Sequence, residues 1–531
     1  MEGCPMTKLQ FPAFGETAYF DDKESKDTRV IIIENAEISK LDDYCRLLED
    51  HGYTQMQKET LPHRIYCGYK KKQEGIFLNY FAGTKQLQIV TEKKCNYFDH
   101  RDTGLAICTN PRLTQVYLSD YGLSDVIRLQ DGRLIIIDGA NVYEKDIDHL
   151  FERLKNDSPY EKPIIAAWIM THPHSDHYNC FIPFDLKYGD QVEIQKMFYN
   201  FPQHNDTKHY PKLDKDGKAF AAWYGQDVSG ADILKLFREK VADMGLPVYT
   251  PHTGQSYRIG EALVQFYGTM DDTIHRSQNI NATSLMFTME LAGQRIFFGG
   301  DGSFSDAKLA ERFGGELKCD ILQVPHHGFG CGSEDGQIRG YRFIDPSICL
   351  LPVEKNLAYT SFTTYREGTR YLMTQMNIEE MLTGEKDQTL DLPYSPAPNG
   401  VYQLQQRYLE GRDNTGARTW VFMDLDTSDP EDFCFSILNS TYIPAEITVE
   451  IFLENVQRKV IRRKITGTRL GVFRTNCLVT AAEDIETLDM PVLMEQLGIP
   501  NDTHFAVRFI SSLPVIISHK NHQPAYRSSI I

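Results

Sequence analysis

Three histidines and a carboxylate fall within six residues in Thr171-His172-Pro173-His174-Ser175-Asp176-His177. Imidazole and carboxylate are the ordinary nitrogen and oxygen ligands of a zinc-type ion, and neutral histidine is the commonest metal ligand. The stretch follows Ile164-Ile165-Ala166-Ala167-Trp168-Ile169-Met170, an apolar run with the composition of a buried strand. On an extended segment side-chain direction repeats every second residue, so His172 and His174 point the same way. A turn after them lets Asp176 and His177 face a second ion beside the first. Asp301 ends another apolar strand, Arg295-Ile296-Phe297-Phe298-Gly299-Gly300, whose two glycines admit close backbone approach. A carboxylate there is placed to bridge two cations. His326 and His327 stand at the end of a third apolar strand, Ile321-Leu322-Gln323-Val324.

The elements that must position these groups read as strands alternating with helices. Residues 125–129, the Asp131-Gly132 turn and residues 133–137 form a hairpin signal that ends at Asp138. Ile147, Leu150, Phe151 and Leu154 recur at helical spacing over residues 143–155, leading back to the strand before the histidines. Further strands are expected at 192–199, 264–269, 284–289 and 348–353, and helices at 231–244 and 365–376. Residues 201–250 read as an insertion whose His204, His209 and Tyr210 are candidates for lining a pocket, although polar loop histidines are more often simply solvated.

Taken together, His-x-His-x-Asp-His after a strand, Ile135-Ile136-Ile137-Asp138-Gly139 before it, and Phe297-Phe298-Gly299-Gly300-Asp301 and Val324-Pro325-His326-His327-Gly328 after it resemble the metallo-β-lactamase fold hydrolases. The resemblance covers about residues 109–390. The Val-Pro-His-His-Gly form is similar to the hydrolase domain of bacterial DNA-uptake channel proteins and to choline-phosphate esterases. It implies a four-layer αββα sandwich and two divalent metal ions, zinc in the first instance with manganese or iron open. The ligand set it implies is His172, His174, Asp176, His177, Asp301 and His327, with Asp138 supporting the metal-binding loop. His326 would then face the substrate; the roles of His326 and His327 can also be exchanged. Many members place a further liganding histidine between the strands at 264–269 and 284–289. His275 is the histidine available there, and Asn281 lies closer to the expected position, in an Asn-x-x-Ser pattern like that of the DNA-uptake branch. His252, in Thr250-Pro251-His252-Thr253-Gly254, copies a family signature but precedes the wrong strand.

The implied activity is a metal-dependent hydrolase using a metal-bridging hydroxide, with Asp176, Asp301 and His326 as catalytic groups. A phosphoester or phosphodiester is the expected substrate, with lactones, thioesters and sulfate esters open. The rival from another class is a ligand-binding or sensory protein with a degenerate metal site, and a less favoured third reading is an iron-based redox enzyme.

The 531 residues are enough for about three domains, and 41% hydrophobic with 24% charged residues is the balance of a soluble globular chain. Residues 1–108 read as a small α+β domain, 109–392 as the hydrolase domain, 393–417 as a linker and 418–531 as a β-sandwich. The last part loosely resembles the sensory-rhodopsin transducer family, through Arg418-Thr419-Trp420-Val421-Phe422, Phe435-Ser436-Ile437-Leu438-Asn439 and Ser512-Leu513-Pro514-Val515-Ile516-Ile517-Ser518-His519. A net charge of −17 repels phosphate backbones at long range and argues against non-specific nucleic-acid binding. No run reaches the roughly 18–20 apolar residues of a membrane span, and no secretory signal is visible. Eleven cysteines without Cys-x-x-Cys spacing fit free thiols in a reducing cytoplasm. The expected partner is a small-molecule substrate, and self-association through either terminal domain is compatible with the pattern.

Overall fold

The computed structural model describes residues 20–21, 28–119, 122–202, 230–273, 279–329, 334–353, 378–396, 417–426, 428, 435–438, 445–453, 458–465, 470–474, 477–479, 503–519 and 522–528. The chain divides into two compact units, one built from residues 1–327, 331–354 and 382–396 and the other chiefly from 397–531. His204, His209, Tyr210, His275 and the helix expected at 365–376 lie outside the described residues.

The first unit begins with an antiparallel sheet of β1 (Phe20–Asp21), β2 (Thr28–Ile33), β3 (Thr54–Thr60), β4 (Arg64–Lys71), β5 (Glu74–Phe81) and β6 (Gln86–Glu92), in the order β1-β2-β6-β5-β4-β3. Its apolar runs bury both faces. Ile31 and Ile33 pack with Leu41, Tyr44 and Leu48 of the helix α1 (Ile38–Asp50). Val30, Ile32, Phe77 and Val90 point the other way, into the core of the following sandwich. The N-terminal region thus contributes a third sheet to this unit.

Two sheets follow. The first contains β7 (Arg112–Gln115), β8 (Ser124–Arg128), β9 (Leu134–Asp138), β10 (Ile164–Ile169), the short β11 (Glu193–Ile194) and β12 (Met197–Phe198), and β13 (Val248–Tyr249). The stretch 192–199, expected as one strand, is interrupted into β11 and β12, each of which pairs in parallel with β10. The second sheet runs in the order β14 (Ser256–Ile259), β15 (Ala262–Gly268), β16 (Met286–Leu291), β17 (Gln294–Phe298), β18 (Ile321–Gln323), β19 (Ile348–Leu351) and β20 (Glu380–Thr383). A last strand, β21 (Gln388–Asp391), returns to pair antiparallel with β7 in the first sheet.

Ile135, Ile137, Ala167 and Ile169 of the first sheet face Phe266, Phe287, Ile296, Phe298 and Leu350 of the second across one shared core. Alternate residues Leu134, Ile136 and Trp168 point outward, onto α2 (Glu144–Asp157), α3 (Phe181–Tyr188) and α4 (Gly230–Asp243) through Leu150, Phe184 and Phe237. Beyond the second sheet, Phe297 packs on Phe304, which packs on Tyr341 of α5 (Glu334–Ile344). Helix, sheet, sheet, helix is the four-layer αββα arrangement, and burial on both faces explains why the strands read as continuous apolar runs.

In the second unit the described residues from 417 onward form strands and turns. A long strand, β28 (His504–His519), runs through it, with β22 (Ala417–Asp426), β23 (Phe435–Leu438), β24 (Ala445–Leu453), β25 (Arg458–Ile465), β26 (Leu470–Arg474), β27 (Cys477–Val479) and β29 (Tyr526–Ser528) around it. Its ladder with β24 ends at Ser511 and its ladder with β23 begins at Ile516. In the sequence, Phe505–Ile510 and Pro514–Ser518 read as two short strands; in the fold they belong to this one. Pro514 falls between those two ladders, so one strand passes from one sheet to the next. Phe422, Phe435 and Phe509 pack edge to face in the core between them.

Candidate metal centre

Parallel pairing sets strand ends side by side. Ile137 of β9 is level with Ile169 of β10, so Asp138 and the loop from Thr171 emerge together. In the second sheet Phe298 of β17 is level with Gln323 of β18, so Asp301 and the two histidines after Pro325 emerge together. Both exits lie at the carboxyl ends of parallel strands, where αβ sheets leave room for a ligand.

Asp138 is fully buried and organises the first exit. Its Oδ1 accepts from the Thr171 N–H at 2.7 Å, and its Oδ2 accepts from Thr171 Oγ1 at 2.7 Å and faces His177 Nδ1 at 2.8 Å. An N–H at His177 Nδ1 fixes the tautomer in which Nε2 offers its lone pair outward. Ser175 to Tyr178 forms a single helical turn, which swings Asp176 and His177 away from the direction of His172 and His174.

Asp301 stands between two groups of ligands. Its Oδ2 is 3.7 Å from His172 Nε2, and its Oδ1 is 3.2 Å from His177 Nε2 and 3.6 Å from His327 Nε2. His327 Nε2 is also 3.2 Å from Asp176 Oδ2, while its Nδ1 meets the Pro352 carbonyl at 3.1 Å. Two sets with the spacing for an ion result: Asp176, His177, Asp301 and His327, and His172, His174 and Asp301, each with its donor atoms within 4.8 Å of one another. His326 sits at the rim, its Nε2 4.0 Å from Asp301 Oδ2 and 3.0 Å from the Asn281 Nδ2. Thus His172, His174, Asp176, His177, Asp301 and His327 converge, with Asp138 behind them and His326 and Asn281 beside them. His252 is not among them; it is buried between Asp271 and Glu92.

Gln323, which carries no motif, and Ser284, the serine of the Asn281-x-x-Ser284 pattern, shape the Asp301 turn. Gln323 is buried, and its Oε1 accepts from the Gly299 and Gly300 N–H groups at 2.9 and 2.8 Å. Ser284 Oγ accepts from the Asp301 N–H at 3.2 Å. Gly300 has φ +51°, and a Cβ there would come within 2.9 Å of the Thr171 side chain. His326 and His327 both have φ of 51°, as Asp138 has 53°, left-handed conformations that cost non-glycine residues about 1–3 kcal/mol each and cluster at functional sites.

The electrostatics suit cations. Burial, then the neighbouring His177, pushes the His172 imidazole well below its ordinary range. At His177 burial opposes the charge but Asp301, Asp176 and Asp138 outweigh it and raise its pKa; His327 is raised in the same way by Asp301 and Asp176. Burial disfavours charge on Asp301, yet His177, His327 and His326 hold its carboxyl well below the usual range. The carboxylates therefore draw positive charge into the centre, which protons or metal ions can supply. Among the described residues the buried His172 Nε2 and Asn281 Oδ1 have no hydrogen-bond partner, as groups reserved for a cation would. The donor set fits two divalent ions.

No protein-family model matches the chain, and no curated protein matches it. Among solved structures the chain is similar to a mutant of the CmlA beta-hydroxylase, at 13% identity over 54% of this chain and 55% of that one, with a TM-score of 0.32. That match spans about half the β-hydroxylase's length. The metallo-beta-lactamase fold protein YhfI from Bacillus subtilis matches at 12% identity over 53% of this chain and 99% of that one, with a TM-score of 0.32. The Anabaena sensory rhodopsin transducer matches at 20% identity over 20% of this chain and 83% of its own, with a TM-score of 0.15. Likenesses of this size assign neither activity nor substrate; the site itself has to carry them.

Proposed function

We propose that the chain is a metal-dependent hydrolase that holds two divalent cations and cleaves a phosphoester or phosphodiester. The observation that carries this reading is the convergence of His172 and His174 with Asp301 on one side, and of Asp176, His177 and His327 with Asp301 on the other. Two such cations lower the pKa of water toward neutrality and stabilise charge on both the attacking and the leaving oxygen. Asp301 would bridge the two groups. Asp176 would both ligate and take the proton from the bridging water. His326, which burial keeps neutral at ordinary pH, would meet the substrate at the rim. The choice of a phosphoester rests on the Val-Pro-His-His-Gly resemblance, and zinc on the imidazole-rich donor set.

Cys45, Cys67, Cys95, Cys108, Cys180, Cys319 and Cys349 are free thiols, which supports a reducing, cytoplasmic setting. No helix among the described residues is long and apolar enough to cross a membrane.

A second reading, a ligand-binding or sensory protein, is favoured by one observation: the position where many relatives in the resemblance carry a histidine is approached here by Asn281. Metal content and turnover separate the two. The hydrolase reading expects about two ions per chain and turnover of a chromogenic phosphodiester that is lost with a chelator. Metal-free, inactive wild-type protein would leave the binding-protein reading standing.

A further inference from the structure

The two cation groups are not equivalent. Asp176, His177 and His327 supply one group with a carboxylate of its own besides the shared Asp301. His172 and His174 have only the shared carboxylate. A neutral donor nevertheless stands beside them. Asn281 is 8% exposed, its Oδ1 is buried without a hydrogen-bond partner among the described residues, and its Nδ2 lies 3.0 Å from His326 Nε2. His326 Nε2 is in turn 4.0 Å from Asp301 Oδ2, the oxygen that faces His172 at 3.7 Å, so the carboxamide is on the Oδ2 side of the bridge.

The amide's orientation has a chemical meaning. An NH2 group only donates, so His326 must offer Nε2 as an acceptor and carry its proton on Nδ1. The carboxamide oxygen is then left for a cation; the flipped amide would present N–H groups to it. The Asn279 side chain accepts from the Asn281 N–H at 3.2 Å and fixes the short helical turn Ile280–Thr283 that carries the residue.

We propose that Asn281, oriented by His326, completes the His172–His174 group with a carboxamide oxygen, and that this group binds its divalent cation more weakly than the Asp176–His177–His327 group. The inference rests on the two-cation reading above. It adds an order: the group with two carboxylates fills first, and the group with Asn281 fills last and exchanges first. A neutral amide oxygen in place of an imidazole also weakens the preference for zinc and moves it toward manganese or magnesium.

The test uses full-length apo-protein titrated with Zn2+ in competition with a chromogenic chelator, with metal content read after dialysis. Wild type is expected to bind two ions in two steps separated by at least about tenfold. Asn281→Ala should leave the tight step unchanged and weaken the loose one by a further tenfold or more, on the order seen for supporting residues. Asn281→His should narrow the gap. His326→Ala should weaken the loose step alone, and His326→Gln, which keeps an acceptor for the amide, should restore part of it. Two ions bound with one affinity in wild type, or an unchanged loose step in Asn281→Ala, overturns the inference and leaves the hydrolase reading intact. A chain that takes up neither zinc nor, in the same titration, manganese, magnesium or ferrous iron removes both.

Discussion

Two buried clusters in the first unit use the same kinds of side chain toward opposite ends. In the candidate metal centre the carboxylates Asp138, Asp176 and Asp301 face imidazoles. In the second cluster Asp272 pairs with Arg312 at 2.7 Å, and His252 lies 2.5 Å from Asp271 and 3.1 Å from Glu92. Asp272 is further held by Gln88, Thr253 and the Thr269 N–H. An arginine cannot give up its charge, so the second cluster contains its own counter-ion permanently. An imidazole can carry a proton, a metal or neither, so the first cluster leaves its positive charge exchangeable. Composition alone does not separate a structural cluster from a reactive one; the lifetime of its positive charge does.

The largest effect expected from breaking this contrast is at Asp301. Asp301→Ala removes the group common to both sets of ligands, and loss of both ions with a roughly thousandfold fall in turnover is expected, since such ions contribute several kcal/mol. Metal analysis and a chromogenic phosphodiester assay read the two together; retained metal with retained turnover would refute the site. Arg312→Ala attacks the other cluster. Removing one partner of a buried pair costs about 3–5 kcal/mol, so its denaturation midpoint should drop sharply. Metal bound per folded chain should not change. If metal is lost as well, the clusters are energetically one, and the contrast fails.

How far each cluster can be read from the sequence follows from where its partners lie. His172, His174, Asp176 and His177 are contiguous, and the apolar strand before them makes their exposure at a strand end evident. Asp301 and His327 also close apolar strands. The four layers were equally readable, because strands buried on both faces write long apolar runs. The polar edge strand Thr54–Thr60 was not, since most of its residues are exposed and no alternation marks it. Glu92 and Gln88 come from the N-terminal sheet, 160 residues or more before His252 and Asp272, and only the folded chain brings them together. Gln323 acts on backbone N–H groups, and a single polar residue at a strand end carries no pattern. His252 shows the converse error open to motif matching: a family-like signature occupies a position whose neighbours are ion-pair partners.

Gln323 sharpens the contrast at smaller scale. It is uncharged, yet its amide holds the turn that presents Asp301. Gln323→Leu leaves two glycine N–H groups without their acceptor, at about 1–3 kcal/mol of stability. Cation affinity should fall about 10–100-fold, as for other residues that orient ligands. Calorimetric Zn2+ titration beside a denaturant curve distinguishes a positioning role from a general loss of stability. Affinity equal to wild type would show that the Asp301 turn holds without Gln323.

The smallest effect, step for step, is a pH dependence that belongs to the second cluster. Burial alone would lower the His252 pKa, but Asp271 first and Glu92 second outweigh it and raise it from 6.5 to about 10. A histidine whose folded pKa is raised contributes stability that is complete below its unfolded value, about 6.5. That contribution is lost as pH rises through the folded value, because above pH 6.5 the native state holds a proton the unfolded chain has released. Stability should therefore decline from neutral pH toward pH 10, by at most about 1.4 kcal/mol per pH unit for one proton. His252→Gln removes the titrating group and should flatten that slope while metal binding stays as in wild type. A wild-type curve with no decline over this range would mean that His252 is neutral in the folded chain. The second cluster would then owe its fixed charge to Arg312 alone, and the contrast with the metal centre would rest on that single guanidinium.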